Sequence, residues 1–471
     1  MTTKKIDLAV VGNGSVAYFC AYYIAKSCPS LKIGLFSETP RYFSGSEAAG
    51  AMVNVFAEVE DDLSTSLHEQ KCFELGMDSR SLWDHFFIEN NLTDIITAES
   101  TYLYLQKNHS EYELRNYHLA CKSANEASSL RHLEQSEIKS FFSSATNLPE
   151  SACELVGELA FSAPLFLESM EKILRSFPNI EFFQEVSNIH EQDINKFEIS
   201  LKNGISIDSN KVICAAGTKT KNILPEIHFQ DVIQSVGTAL ELTNINISNF
   251  KRKVVRSVSR GGVQCGIHLV PRSNSIYVGA GSYISNSKTT PIPRAEEIRY
   301  LLQIAERDFL GRSAIFKCFL SPTILGSRPR SIDSYPLIGA FEKHPSLFIA
   351  TGTNRTGITW SPSIAQYALS WIKGSSDKTN CNYDDLFRNW KPDRELIPYG
   401  TNEKCLEYYV ETRASNEYEH GLITDPKSHE DCSRIQSYGK KLLKNVNKVL
   451  NISNGYSIHP DSWSLFYEKD N

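Results

Sequence analysis

The pattern of apolar and polar residues predicts a complete βαβ unit at the start of the chain. Residues 6–11 form an uninterrupted apolar run, as expected for a strand buried on both faces of a parallel sheet. Residues 15–27 have apolar positions at helical spacing, and residues 31–38 form a second strand-like run. A strand, a helix and another strand in this order predict an α/β architecture with a parallel sheet.

Strand-like runs also dominate the second half of the chain. Residues 196–217, KFEISLKNGISIDSNKVICAAG, predict a hairpin with an Asn-Gly turn that leads into a buried strand. Several apolar runs between residues 234 and 283 together predict an antiparallel sheet. A further buried strand is expected at 347–352. The helix after it is expected to have Ser361 as its N-cap and Pro362 at its first position.

The composition changes after Gly374, where GSSDKTNCNYDD (374–385) is a linker candidate. The C-terminal extension that follows contains one periodic segment with a shared apolar face and four lysines on the remainder. This segment predicts a helix. The apolar positions are Ile435, Tyr438, Leu442, Val446 and Val449, and the lysines are Lys440, Lys441, Lys444 and Lys448.

Size and charge place the chain among ordinary globular proteins. It has 471 residues, of which 41% are hydrophobic and 22% charged, enough for two or three structural units. The net charge of −6 does not favour nucleic acid or an anionic membrane as a partner. The 11 cysteines are scattered without a CxxC pair, and no secretory signal or membrane span is evident. We therefore expect a cytoplasmic protein without a metal site.

The segment Gly12-Asn13-Gly14-Ser15-Val16-Ala17 has the G-x-G-x-x-A form of the dinucleotide fingerprint. In this motif the glycines permit a tight turn and close approach of a pyrophosphate, and the helix N-terminus favours negative charge. Glu38 lies 26 residues after Gly12, where an acid is expected to bind ribose hydroxyls. The alternative is a glycine turn that binds no ligand.

Three further segments have residues suited to a bound anion or ring system. SGSEAAGAM, residues 44–52, concentrates small residues that could lie against a flat ring, or that could simply form a tightly packed helix. SRPRSIDSYPLIG, residues 327–339, places two arginines around a proline, where an anionic partner is expected. GTNRTGITWSP, residues 352–362, is a glycine loop before a helix that could stabilise developing negative charge, or could leave Arg355 in solvent.

Together these segments resemble the D-amino-acid-oxidase-like flavoprotein superfamily, and its glycine oxidase branch in particular, over residues 5–374. The resemblance implies an α/β (α+β overall) fold. A Rossmann-like FAD-binding domain would be formed by residues 1–54, 151–225 and 326–374. A substrate domain on a large mixed or antiparallel sheet would comprise 55–150 and 226–325. Residues 375–471 would be a C-terminal extension that buttresses the substrate domain, caps the site or docks a partner.

The resemblance also implies which residues of this chain form the site. Arg328 would bind the substrate carboxylate, Arg355 would be a second active-site arginine, and His268 takes the place of a tyrosine or is only structural. Arg330 would face solvent or a carboxylate such as Asp333. Non-covalent FAD would be held by residues of the fingerprint, the small-residue segment, two strand ends and the glycine loop: Gly12, Gly14, Ser15, Val16, Ala17, Glu38, Ser44, Ser46, Ala51, Met52, Val186, Ala216, Gly217, Thr353, Asn354, Arg355, Thr356, Gly357, Ile358 and Thr359.

The activity that the resemblance implies is oxidation of an amine or α-amino acid to an imine, by hydride transfer to flavin N5. Oxygen would reoxidise the flavin to give hydrogen peroxide. Three alternatives remain open at this point. A dehydrogenase could pass electrons to a quinone or carrier, the amine could be attached to a protein or RNA that docks on the lysine-rich helix, or the protein could bind flavin without turnover. An oligomer is also compatible with the sequence.

Overall fold

A computed structural model describes residues 4–60, 66–250, 252–259, 266–285, 288–374, 384–452 and 455–466. Residues 375–383 of the linker candidate lie outside this part of the chain. The helices in it are α1 (Ser15–Ser27), α2 (Leu67–Glu89), α3 (Glu111–Glu126), α4 (Gln135–Phe141), α5 (Ala163–Arg175), α6 (Thr220–Ile223), α7 (Ala295–Ala305), α8 (Gly311–Lys317), α9 (Gly357–Lys373), α10 (Asp384–Asn389), α11 (Asn402–Glu419) and α12 (His429–Leu450).

The strands of the described residues form two large sheets and one short ribbon. They are β1 (Lys4–Val11), β2 (Ile33–Phe36), β3 (Met52–Val53), β4 (Ile96–Leu105), β5 (Leu130–His132), β6 (Ser151–Phe161), β7 (Ile180–Phe183), β8 (Val186–Asp193), β9 (Lys196–Leu201), β10 (Ser206–Cys214), β11 (Val232–Thr243), β12 (Lys253–Ser257), β13 (His268–Pro271), β14 (Ser275–Ser285), β15 (Phe319–Leu320), β16 (Ile324–Ser331), β17 (Leu337–Ala340), β18 (Leu347–Thr351), β19 (Gly400–Thr401) and β20 (Tyr456–Ser457).

The first sheet is the parallel sheet that the βαβ pattern predicts. Its main order is β17-β18-β10-β1-β2-β7, and β1 pairs in parallel with both β2 and β10. The hairpin of β9 and β10 is present as expected, with β8 beyond it. Helices α1 and α9 pack together on this sheet around the aromatic residues of α1. The apolar run of β1 is therefore buried from both sides, which explains why it lacks alternation.

The second sheet is mixed, in the order β15-β11-β14-β13-β12-β4-β6-β3, with β16 also paired to β11 and β5 to β6. The predicted antiparallel runs are its strands β11 to β14. Strands β3, β6 and β16 belong to this sheet, although their residues lie in segments that we assigned to the FAD-binding domain. A strand belongs to the sheet that contains its hydrogen-bond partners, whatever segment surrounds it in the sequence. The domain boundaries therefore stay a prediction.

Helix α9 begins at Gly357, and the expectation of an N-cap at Ser361 is wrong. Pro362 lies inside the helix and has no N–H for the carbonyl of Ile358. The Trp83 Nε1–H donates to that carbonyl at 3.1 Å, and the Ser361 hydroxyl donates at 2.8 Å. Since these donors replace the missing bond, the helix starts before the proline and its N-terminus reaches the mouth of the first sheet.

The C-terminal extension is a helical unit with a core of its own. Helices α11 and α12 pack together, and β19 pairs with β20. The predicted helix is present, but Tyr438 and Val449 are exposed at the edges of its apolar face, because the buried stripe is narrower than the sequence periodicity suggested. Within the described residues, none of the helices is long and apolar enough to cross a lipid bilayer.

Candidate active site

A long cleft lies where the carboxyl ends of β1, β2 and β10 face the second sheet. It contains about 1790 Å³ of space not filled by protein atoms, part of it open to solvent. Open α/β sheets bind ligands at the carboxyl ends of their strands, so this cleft is the expected site. Nineteen of the twenty residues predicted to bind FAD line the cleft; the exception is Ala17, whose Cβ would lie 3.2 Å from a Cβ placed on Gly12.

The first glycines of the fingerprint have no room for a side chain. Gly12 has a φ of +131°, and a Cβ on it would lie 2.4 Å from the carbonyl oxygen of Ala215. A Cβ on Gly14 would lie 2.9 Å from Ser46 Oγ, which accepts the N–H of Ser15 at 3.1 Å. The backbone at the start of α1 is thus bare toward the cleft, as a pyrophosphate requires. This part of the cleft fits FAD.

Glu38 lies two residues beyond β2 on the wall of the cleft. Its carboxylate pairs with Lys219, a residue that the sequence analysis did not select, and its carbonyl accepts Asn13 Nδ2 at 2.6 Å. A carboxylate offers about four lone-pair positions, so the pairing leaves room for ribose hydroxyls. Val186 is at the first position of β8 in the same wall. Both predicted residues are therefore placed at one end of the cleft.

The small residues after β2 pack against the second sheet rather than forming a helix. Ser44 makes a bridge to Ser327, next to Arg328, and Ser46 supports the start of α1. Ala51 has a φ of +49°, and Met52 begins β3. The segment therefore joins the two sheets along the cleft. Ala216 and Gly217 line the cleft just beyond the end of β10.

The glycine loop after β18 forms the opposite wall. Thr353, Asn354, Arg355 and Thr356 come directly before α9, and Gly357, Ile358 and Thr359 form its first turn. A helix N-terminus has a partial positive charge from its unsatisfied N–H groups. The loop thus directs positive potential into the cleft, as the flavin-ring interpretation of this segment requires.

Arg328 lies on β16 and lines the cleft. Its guanidinium covers Gly237 of β11, where an added Cβ would lie 2.5 Å from Arg328 Nη2. Its Nη1 is buried and has no hydrogen-bond partner among the described residues. A guanidinium in this state is suited to bind a carboxylate with two parallel hydrogen bonds. The structure thus places the predicted carboxylate-binding residue where a ligand would reach it.

His268 is on β13 and is only 4% exposed, with its ring stacked at 5.8 Å on Tyr277, which also lines the cleft. Burial, together with the charges of Arg256 and Arg328, lowers the pKa of His268 to about 3. The imidazole is therefore neutral at physiological pH. Its Nδ1 has no partner among the described residues. His268 can exchange a hydrogen bond with a ligand, but it cannot bring a positive charge.

Arg355 reaches the cleft but is already paired. Its Nη2 donates to Glu58 at 2.5 Å and lies 3.4 Å from Glu60. Glu58 also accepts from the fully buried Arg256 at 2.5 Å. Although burial opposes ionisation, the two arginines lower the pKa of Glu58 to about 2. A substrate carboxylate would have to compete with two glutamates for Arg355, so its predicted role remains open.

Arg330 is not in solvent, and its partner is not Asp333. It is 1% exposed and donates to Asp461 of the extension at 2.9 Å and to Ser334. Asp333 pairs instead with Arg394 of the extension, at 3.0 Å. The expectation of solvent was wrong, whereas that of a structural carboxylate is right in kind but not in residue. The carboxylate is Asp461, which lies 131 residues away in a segment where no sequence pattern identifies it.

Glu58, Lys219 and Tyr277 line the cleft but were missed by the sequence analysis. Glu58 begins the acidic run EVEDD, which comes shortly after the small-residue segment. This run could have indicated that a carboxylate lies near the cleft. Lys219 is part of the quoted segment VICAAGTKTKNIL, but nothing there pointed to Glu38 as its partner. Tyr277 gave no signal, since aromatic residues are common in strands.

The comparisons with known proteins show the family and the fold. Residues 7–371 match the family model described as DAO, FAD dependent oxidoreductase. No curated protein matches the chain by sequence. Among solved structures, glycine oxidase from Geobacillus kaustophilus has a TM-score of 0.69 at 18% identity, over 84% of this chain and 100% of that one.

Two other solved structures cover the chain to a similar extent. Reduced L-α-glycerophosphate oxidase from Mycoplasma pneumoniae with FAD bound has a TM-score of 0.65 at 16% identity, over 84% of this chain and all of that one. L-proline dehydrogenase from P. horikoshii has a TM-score of 0.64 at 15% identity, over 82% of this chain and 98% of that one. At such identities the likeness shows the fold alone, and it covers 82–84% of this chain.

Proposed function

The chain belongs to the family of FAD-dependent oxidoreductases, and from this premise we propose that it oxidises the C–N bond of an α-amino acid or a related carboxylate-bearing amine. FAD is the cofactor of the family, so the cofactor prediction is confirmed. No cysteine of the described residues lines the cleft, in agreement with the non-covalent attachment we expect. The glycine backbone at Gly12 and Gly14 would hold the pyrophosphate.

The observation that supports an amino-acid substrate is the state of Arg328. It projects into the cleft from β16 with a buried nitrogen that has no partner among the described residues. Two further arginines line the cleft, and both are paired: Arg355 with glutamates, and Arg41 with Glu171 and Tyr18. Leaving a buried donor unsatisfied is unfavourable, and a carboxylate would satisfy it with a charge-assisted pair. Arg328 would therefore fix the substrate by its carboxylate.

The remaining residues would orient the substrate and set its charge. Bound FAD supplies the two-electron acceptor for the hydride. Because His268 does not hold a proton near neutral pH, it adds no repulsion against a substrate amine and can accept a hydrogen bond from it. The charge of Glu58 is balanced by Arg256 and Arg355. The chain then contributes position and electrostatics, and the amine loses its proton before oxidation.

We favour oxygen as the electron acceptor, with hydrogen peroxide as the product. The alternative is a dehydrogenase that passes electrons to a quinone or a carrier. The fold is compatible with both activities, since an L-proline dehydrogenase has a similar structure. The described cysteines are free, which supports the reducing cytoplasm as the place of action.

The test is a panel of amines and amino acids scored by loss of the flavin visible absorbance without oxygen. Such bleaching reports the reductive half-reaction whatever the acceptor is. We expect bleaching by at least one carboxylate-bearing amine, and none by the same amine with the carboxylate reduced to an alcohol. Oxygen uptake with peroxide release in the same preparation would then identify an oxidase. No bleaching by any member of a broad panel would overturn the proposal.

A further inference from the structure

A second cavity lies directly behind the glycine loop. It contains about 1190 Å³ of space not filled by protein atoms, part of it open to solvent. Five residues line both this cavity and the FAD cleft, so the two share a wall: Glu58, Thr353, Asn354, Arg355 and Thr356. The ion pair of Glu58 and Arg355 is therefore the boundary between the cleft where Arg328 lies and the space behind it.

Rings dominate the far side of this second cavity. Phe73 comes from α2, Trp360 from α9, Tyr335 from the turn after β16, and Tyr399 from the extension. Two histidines, His68 and His459, complete the set, with His68 edge-on to Tyr335 at 4.7 Å and His459 edge-on to Tyr399 at 4.4 Å. Such walls favour a flat apolar group, which can stack on ring faces and meet ring edges.

Most of the charged groups around the second cavity are paired within the protein. Glu60 also lines it, 3.4 Å from Arg355 and with a pKa raised by burial, and so does Glu69 in the first turn of α2. Arg330 pairs with Asp461 and Arg394 with Asp333, besides the Glu58–Arg355 pair. Burial lowers the pKa of His68 to about 4, so this ring is neutral. Ion pairs that are satisfied within the protein do not require an ionic ligand. The cavity is therefore suited to an uncharged ligand group.

We infer that the second cavity is a specificity site, which binds a flat apolar group at the distal end of the substrate. The inference rests on the proposed function. The carboxylate would be held by Arg328 in the cleft, and the distal group would pass Arg355 and lie among Phe73, Trp360 and Tyr399. The natural substrate would then be a carboxylate-bearing amine with an aromatic or similarly flat substituent, and not glycine itself.

The inference also gives the C-terminal extension a part in substrate binding. Tyr399 and His459 are the extension residues in the cavity wall, and Asp461 fixes Arg330 beside them. Without the extension this side of the cavity would be missing, and the space would be a groove. A site closed by an added unit permits a substrate that a chain without that unit would bind poorly.

The experiment measures binding with carboxylates that lack an amine and so cannot be oxidised. The probes are ω-phenylalkanoates from phenylacetate to phenylhexanoate, each compared with the alkanoate of equal chain length. Dissociation constants come from the change in the flavin visible spectrum of the holoenzyme. We expect one chain length at which the phenyl group improves affinity by roughly 10- to 100-fold, as burial of such a ring implies.

A filling variant assigns this gain to the second cavity. Cys72 lines only this cavity, so Cys72→Phe should remove the phenyl gain and leave acetate binding within twofold, whereas the isosteric Cys72→Ser should keep the gain. If Cys72→Phe does not fold, Phe73→Trp is the second filling variant, with Phe73→Leu as its control. FAD content and thermal midpoint identify the folded variants.

Two results would overturn the inference. One is a wild-type affinity that rises smoothly with the apolar area of the probe, without a preferred length. The other is a folded, FAD-loaded filling variant that still shows the full phenyl gain. Because these probes are not oxidised, the outcome is independent of the bleaching panel. Specific phenyl binding without bleaching by any amine would contradict the proposed function and leave the cavity assignment in place.

Discussion

The two arginines of strand β16 differ in what surrounds them, Arg328 on the side of the cleft and Arg330 nearer the end of the strand. Arg328 faces the cleft, lies over a glycine of the neighbouring strand and keeps a nitrogen without a partner among the described residues. Arg330 is two residues further along, is almost fully buried and is bound by Asp461 and Ser334. The same kind of side chain is therefore available to a ligand at one position and supports the fold at the other.

This difference shows how the extension contributes to the site without entering the cleft. Asp461 fixes Arg330, and Arg394 fixes Asp333 in the turn that follows. With its last residue and its turn held, β16 has little freedom to change the position of Arg328. A ligand-binding arginine needs such support, because bidentate recognition of a carboxylate depends on the orientation of the guanidinium.

The largest effect is expected from Arg330→Ala, which tests the buried end of the strand. The substitution leaves Asp461 buried without its partner, and breaking a buried pair in this way costs about 3–5 kcal/mol of unfolding free energy. Chemical denaturation of the holoenzyme measures the loss. The double variant Arg330→Met/Asp461→Leu should recover most of it, because it removes both charges. Equal stability of the single variant and the wild type would contradict the assigned pairing.

Arg328→Ala tests the cleft end and should affect catalysis rather than folding. Loss of a bidentate pair with the substrate carboxylate costs about 2–4 kcal/mol, so kcat/KM should fall roughly 30- to 1000-fold. FAD content should not change. Arg328→Lys should restore only part of the loss, since an ammonium group cannot form the two parallel bonds. If the thermal midpoint falls as far as in Arg330→Ala, the contrast between the two ends fails.

A smaller effect concerns pH and His268, the neutral neighbour of Arg328. Its folded pKa of about 3 lies below the unfolded value of 6.5, so only the unfolded chain gains a proton as pH falls through 6.5. The wild type should therefore lose about 2 kcal/mol of stability from this residue between pH 6.5 and 5.

His268→Gln should remove this part of the pH dependence of the unfolding free energy. The part due to His68, whose pKa is also lowered, should remain. Above pH 7.5 the two proteins should show a constant difference in unfolding free energy. Denaturation curves at five or six pH values measure both slopes. Parallel slopes over pH 5–6.5 would mean that His268 is protonated in the folded protein, which would place a cation beside Arg328.

The smallest effect is expected for Arg355→Gln, the second cleft arginine. Its charge is already balanced by Glu58 and Glu60, so its loss should change the KM for a carboxylate substrate by less than about fivefold, or ~1 kcal/mol. Arg328→Gln is the matched control and should raise KM far more. Equal effects of the two substitutions would support the prediction, implied by the family resemblance, that Arg355 is a second active-site arginine.

The local features of the fold followed from the sequence. The βαβ unit, the Asn-Gly hairpin and the buried β18 depend on residues close together in the chain, and short-range periodicity identifies them. The fingerprint glycines were also found, because Gly12 has a φ that other residues rarely adopt and Gly14 lies too close to Ser46 for a side chain. The family match confirms the resemblance on which the cofactor prediction depended.

The features that the sequence did not predict depend on distant partners. Nothing near Pro362 indicates that Trp83 supplies the donor that lets α9 start earlier. Nothing near Arg330 or Arg355 indicates that carboxylates from Asp461 and Glu58 neutralise them. A charged residue in a single sequence looks the same whether it is paired or unpaired, so its state can only be read once the chain is folded.

The pairing of Arg330 with Asp461 also has a consequence for how the protein is made. Asp461 follows Arg330 by 131 residues, so this contact can form only after the whole segment between them has been synthesised. Until then Arg330 has no Asp461 to pair with, and the second cavity lacks the wall that His459 provides. Completion of this part of the molecule therefore waits for the C-terminal extension. A product that terminates before the extension would lack both the buried ion pair and that wall.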